Sequence, residues 1–163
     1  MKKIDRYIFP INTIVCILTL CAVVFTMAIL GWKPCPMCLL QQLSVLCILV
    51  LSVLGWIKKS PKAFSVAIQT IILVIILLAL YVAGDQIYLQ YFNTPPTTNI
   101  ASCGGIDNPF LLNVTKSITG SVESCSEISE EISGYSLAVY SFLFFSCLLV
   151  INCIGLFIKI FKK

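Results

Sequence analysis

Charge is scarce in this sequence. Of its 163 residues only 11% are Asp, Glu, Lys or Arg, against about a quarter in a typical soluble domain. With 59% hydrophobic residues and a mean hydropathy of +1.01, that shortage excludes an ordinary soluble globular domain. Also missing is any water-facing segment in which basic residues alternate with aromatics, so the net charge of +4 does not point to nucleic acid. No small-residue cleavage site follows "MKKIDR", and the apolar run behind it is longer than a signal-peptide core, so it reads as a retained first helix. There is no internal repeat.

What the chain does have is long apolar runs. A membrane-spanning helix needs about 20 mostly apolar residues, because hydrocarbon offers no water to backbone N–H and C=O groups and the helix satisfies them internally. Four stretches meet this: Ile8–Leu30, Leu39–Ile57, Phe64–Ile87 and Tyr135–Phe161. The first two are joined by a few residues around Lys33 and the next two by the short basic turn "KKSPK". Only the third link, 88–134, is long. The expected fold is an all-α membrane protein, residues 1–163 forming one four-transmembrane-helix bundle with a long outer loop between helices 3 and 4.

The few charges give the orientation. Lys2, Lys3, Arg6, Lys58, Lys59, Lys62, Lys159, Lys162 and Lys163 fall on one side of such a bundle, leaving Lys33 and Lys116 opposite. The positive-inside rule then predicts both termini in the cytoplasm. Asp107, Glu123, Glu127, Glu130 and Glu131 all lie in the outer loop.

The nine cysteines divide by this topology. Cys16, Cys21, Cys47, Cys147 and Cys153 sit inside the spans, where free cysteine packs as a small hydrophobe. Cys35, Cys38, Cys103 and Cys125 fall on the outer side, the compartment in which disulfides form and persist. For Cys103 and Cys125 a structural staple, worth roughly 3 kcal/mol on the chain-entropy account, stands beside a reactive role. For Cys35 and Cys38, in "WKPCPMCLLQQ", a bridge would close almost no loop, so chemistry is the better reading. Pro36 suits the first turn of a helix, since its missing N–H would be unpaired there anyway. The positive end of that helix and nearby Lys33 both favour thiolate and predict lowered thiol pKa values for the pair.

The outer loop is rich in Thr, Ser, Asn, Gly and Pro. "TPPTTNIASCGG" argues for an irregular, accessible Cys103. "DNPFLLNVTKSI" offers Asn108 as an N-cap and Pro109 at the first helical position. Phe110, Leu111, Val114 and Ile118 follow at helical spacing, as in a short helix lying on the membrane or packing on the bundle.

With the termini inside, "KPCxxC" opening the second span and a second cysteine pair in a long loop before the fourth, the chain resembles the DsbB family. These are bacterial inner-membrane thiol:quinone oxidoreductases that reoxidise the periplasmic dithiol oxidase DsbA. The cysteine order separates it from vitamin K epoxide reductase relatives, whose motif cysteines follow the loop cysteines. The resemblance implies two redox disulfides, Cys35–Cys38 and Cys103–Cys125. Cys103 would form the mixed disulfide with a DsbA-like partner, Cys125 would be its mate, and Cys38 would face a membrane quinone, ubiquinone or menaquinone. It also implies residence in the bacterial cytoplasmic (inner) membrane with the redox loops outside.

Family members commonly carry an arginine four residues after the second motif cysteine, and here that position is Gln42. The chain has no histidine, so a histidine bonded to the quinone, as in some relatives, is absent, and Gln90 lies near its place. Gln41, Gln42 and Gln90 are candidate quinone contacts. Asp85 and Gln86, at the outer end of the third span, are further candidates for which simple interfacial solvation is the preferred reading. Two other classes compete: a four-thiolate metal site at Cys35, Cys38, Cys103 and Cys125, and a structural subunit with two inert disulfides.

Overall fold

In the computed structural model the described residues are 4–32, 34–57, 62–92, 113, 116, 117, 125, 131, 132 and 134–161. They form four long helices, α1 (Ile4–Ile29), α2 (Pro36–Ile57), α3 (Lys62–Tyr91) and α4 (Leu137–Phe161), with a short hairpin of β1 (Glu131–Ile132) and β2 (Tyr135–Ser136) ahead of α4. All four helices are long and apolar enough to cross a membrane.

Both boundaries of the outer loop differ from expectation. α3 continues to Tyr91, so Tyr88–Tyr91 are helical rather than part of the outer loop. No Pro or Gly interrupts the chain from Asp85 until Pro95, and the helix runs on in the meantime. At the other side of the loop, Tyr135 and Ser136 pair with Ile132 and Glu131 instead of opening the last helix. Gly134, at φ 82°, supplies the left-handed residue of that hairpin turn. Within the loop Asn113, Lys116 and Ser117 are helical and exposed, and Ser117 Oγ donates to the Asn113 carbonyl at 2.8 Å; the other residues of that expected helix lie outside the described residues.

The bundle is apolar on both its inner and outer faces. Ile48, Ile72, Ile76, Phe145 and Leu148 are buried together with Phe9 and Cys16, while Leu18, Leu78 and Phe157 stand fully outward. An outward apolar surface of this kind is solvated by lipid. Of the five cysteines within the spans, only Cys16 packs in the core; Cys21, Cys47, Cys147 and Cys153 are exposed free thiols on the outer surface. The expectation of interior packing is corrected for those four: a thiol is apolar enough to face hydrocarbon.

Because lipid tails are as apolar as Leu, close packing and hydrogen bonds must hold such helices together. Each helix contributes one fully buried polar side chain to the half of the bundle that contains the start of α1 and the end of α4: Asn12, Ser52, Gln69 and Asn152. Asn12 Nδ2 donates to Asn152 Oδ1 at 2.8 Å, and Asn152 Nδ2 returns a bond to Asn12 Oδ1 at 3.2 Å. Gln69 Nε2 donates to the Asn152 carbonyl at 3.0 Å. This approach needs Gly155, where an added Cβ would strike Ile8 and lie 2.7 Å from Gln69 Nε2. One level further out, Lys159 Nζ donates to Ser65 Oγ at 3.0 Å and sits 4.1 Å from the centre of the Phe9 ring.

Candidate functional site

The opposite end of the bundle holds the cysteine motif. α1 ends where Gly31, at φ 69°, turns the chain, and the Thr26 carbonyl accepts the N–H groups of Leu30 and Trp32. The chain then enters α2 with Cys35 as the capping residue. Its carbonyl accepts the Leu39 N–H at 3.0 Å, Pro36 occupies the first helical position, and the Cys38 N–H donates to Cys35 Sγ at 3.3 Å. A sulfur thus takes the place of the usual N-cap oxygen, satisfying one of the N–H groups that a helix start leaves open. The Cys-x-x-Cys spacing follows from this cap, because the residue three after it is the one whose N–H points back.

The cap brings the two sulfurs to 2.8 Å, with the Cys35 thiol donating to Cys38 Sγ. Cys35 is 6% exposed. Its thiol is pushed well above the ordinary range, first by the bond to Cys38 and then by burial. The expectation of lowered pKa values for the pair is therefore corrected at Cys35. The helix end does act on its sulfur, but the bond to Cys38 and the burial of Cys35 outweigh it.

Two glutamines bond beside the cysteine pair. Gln86, on α3 and 2% exposed, donates through Nε2 to Cys35 Sγ at 3.4 Å and to Cys38 Sγ at 3.3 Å. Gln41, on α2, donates through Nε2 to Gln86 Oε1 at 2.9 Å. The expected interfacial solvation of Gln86 is corrected: it is buried against the cysteine pair. Gln90 is also buried, and its Oε1 has no hydrogen-bond partner among the described residues.

On one side the pair meets Cys125. Cys35, Met37, Leu89 and Cys125 form a buried cluster with Cys38 and Val82 at its edge. Cys125 is disulfide-bonded, whereas Cys35 and Cys38 are in the thiol form. Cys103 and Lys33 lie outside the described residues. Among the described residues no three Cys, Asp or Glu side chains converge as metal ligands. Cys125, tied in a disulfide, offers no thiolate to a four-sulfur site.

On its other side the pair meets a cavity of about 290 Å³ between α1, α2 and α4. Cys38, Gln41 and Gln42 lie along one wall, with Leu20, Val23, Tyr140 and Phe144 among the residues opposite. Gln90 does not line it. The walls are mostly apolar, with the amides of Gln41 and Gln42 among the polar groups that line them.

A protein-family comparison matches residues 5–155 to "Disulfide bond formation protein DsbB". The chain belongs to the DsbB family. It is similar to disulfide bond formation protein B of Marinobacter nauticus, 27% identical over 162 residues, covering 96% of this chain and 92% of that one. It is likewise similar to the protein of that name from a Polaromonas species, 26% identical with 93% and 88% coverage. A third, from a Psychrobacter species, is 26% identical with 87% and 85% coverage. No solved structure matches. Family and helices together make this a multi-pass membrane protein of the disulfide-forming oxidoreductase class.

Proposed function

We propose that this DsbB-family chain is a thiol:quinone oxidoreductase, which reoxidises a DsbA-like dithiol partner outside the cytoplasmic membrane and passes the electrons to membrane quinone. The observation that carries this reading is the position of Cys35 and Cys38, between a disulfide-bonded Cys125 on one side and an apolar cavity on the other.

The chemistry balances as two exchanges and one transfer. A partner dithiol reduces a Cys103–Cys125 disulfide, losing two electrons and two protons and becoming a disulfide. Cys125, now a thiolate, attacks Cys35 Sγ; the Cys35–Cys38 bond breaks, a Cys35–Cys125 bond forms, and Cys38 leaves as thiolate. The shared apolar cluster of Cys35 and Cys125 favours attack at that sulfur. Cys103 then resolves the bond, restoring Cys103–Cys125 and leaving Cys35 and Cys38 as a dithiol. In that state the Cys35 thiol holds its proton and donates to Cys38, supporting negative charge on the sulfur that faces the cavity.

The cavity's apolar walls and cluster of amides fit the head group of a quinone, which supplies the final acceptor for two electrons and two protons. Gln42 is the amide we assign to a quinone oxygen, because Gln41 spends an N–H on Gln86. Gln90, away from the cavity, has no such support. The lysine distribution supports cytoplasmic termini and outward redox loops.

The test is quinone reduction by the purified, detergent-solubilised protein supplied with a reduced DsbA-like dithiol. Turnover with ubiquinone or menaquinone that vanishes in Cys38→Ser is expected. A folded protein that turns over neither quinone would refute the proposal.

A further inference from the structure

The Gln86 contacts have a chemical direction. An amide carries two N–H donors at one end and an acceptor at the other. Gln41 donates to Gln86 Oε1, so the oxygen of Gln86 is engaged toward α2 and its nitrogen is turned to the sulfurs, reaching both at 3.4 and 3.3 Å. Reversing the Gln86 amide would set two NH2 groups against each other and present the sulfurs with an oxygen. Buried at 2% and 5% exposure, neither glutamine has water to fall back on.

Such a donor does not act equally on the two redox states. An N–H bond to thiolate sulfur is charge-assisted and strong, whereas a disulfide sulfur is a weak acceptor. A fixed donor over both sulfurs therefore stabilises the reduced pair more than the oxidised one. Stabilising the reduced form is what makes a disulfide a stronger oxidant.

We propose that Gln86 is a further catalytic residue of the Cys35–Cys38 pair, a double N–H donor that raises the pair's reduction potential, and that Gln41 is the positioning residue that keeps this donor turned toward sulfur. The inference rests on the relay above, since it gives the pair the oxidising power with which it draws electrons from Cys103 and Cys125. It also gives the two glutamines distinct work: Gln86 serves the sulfurs, and Gln42 is left to the cavity.

The test equilibrates the full-length protein, freed of quinone, in glutathione redox buffers. Thiols are then trapped and the oxidation state of the Cys35–Cys38 segment is read by mass spectrometry. Gln86→Leu is expected to make the pair about tenfold harder to reduce, equivalent to about 30 mV for this two-electron couple. Gln41→Leu is expected to give a smaller shift of the same sign, because the donor remains but is no longer held. Either single change orphans a buried amide, so the double variant Gln41→Leu/Gln86→Leu serves as the folded control. It should match Gln86→Leu rather than add the two effects. An unchanged glutathione equilibrium in the folded double variant, or additive shifts, would overturn the inference. The measurement uses neither quinone nor partner, so a wild-type protein that fails to reduce quinone refutes the relay without altering what this equilibrium says about Gln86.

Discussion

Replacing Asn152 by Leu should expose how much the bundle depends on its buried polar layer. The change removes both bonds of the reciprocal amide pair, 2.8 and 3.2 Å long, and leaves Asn12 fully buried with neither partner. The bond from Gln69 survives, because it ends on the backbone carbonyl of residue 152. Interhelical side-chain bonds inside membranes are worth about 0.6 kcal/mol each, rising to about 1.7. Two of them amount to roughly 1–3 kcal/mol, and the orphaned Asn12 amide adds a desolvation cost of about 1–3 kcal/mol. The predicted loss is therefore about 2–6 kcal/mol, measurable as a shift in equilibrium unfolding by denaturing detergent in mixed micelles, followed by far-UV circular dichroism. The decisive comparison is Asn12→Leu/Asn152→Leu, which removes the pair without leaving an orphan. It should be more stable than either single variant. A double variant destabilised by the sum of the two singles would refute the reasoning, since it would mean that the asparagines contribute independently of one another.

Gly155→Ala should cost about 1–3 kcal/mol in the same assay, because Ile8 and the Gln69 amide must both give way to a new methyl group. Gln42→Arg should raise quinone turnover, since a guanidinium brings to the cavity wall a positive charge that an amide lacks; unchanged or lower turnover would show that charge does not limit this site. The raised Cys35 pKa gives the reduced protein a pH dependence. Above the ordinary thiol value of 9.0 the unfolded chain releases a proton that the folded chain still holds at Cys35. The folded state then binds more protons, so the contribution of this thiol to stability is complete below that value and is lost progressively as the pH climbs toward the raised one. Unfolding of the reduced protein on either side of 9.0 should show this decline, and Cys35→Ala should make it smaller.

The spans were legible because their signal is local: about 20 apolar residues in a row need no tertiary partner to declare themselves. The cysteine motif was legible for a similar reason, since Cys35, Pro36 and Cys38 build their cap within one turn of helix. Gln86 was not. Its partners are 45, 48 and 51 residues away in the chain, and a lone amide near a helix end looks the same whether it meets water or sulfur. Asn12 and Asn152, 140 residues apart, present the same difficulty, as isolated polar residues in apolar runs. The cavity wall was hidden differently: in a bundle apolar on both faces, Leu20 or Phe144 lining a pocket cannot be told by composition from Leu18 or Phe157 facing lipid. The pKa of Cys35 was misjudged because helix dipole and nearby lysine can be read from sequence, while the donated proton and the burial belong to the folded site.

On the proposed relay, the described groups around the sulfurs would support charge at Cys38 without a buried cation. A guanidinium buried beside the cavity would carry a desolvation cost of several kcal/mol unless its charge were matched in every redox state. Neutral dipoles escape that cost, and two donate to the Cys38 sulfur: the thiol of Cys35 and the amide of Gln86. Both are held in place before any charge appears, by the helix cap and by Gln41, so little reorganisation is needed when a thiolate forms. In the proposed relay protein thiols react in water and quinone resides in lipid, so a disulfide that joins them would sit where the two meet. At that boundary a set of prearranged neutral donors can stabilise a transient thiolate without keeping a permanent charge buried.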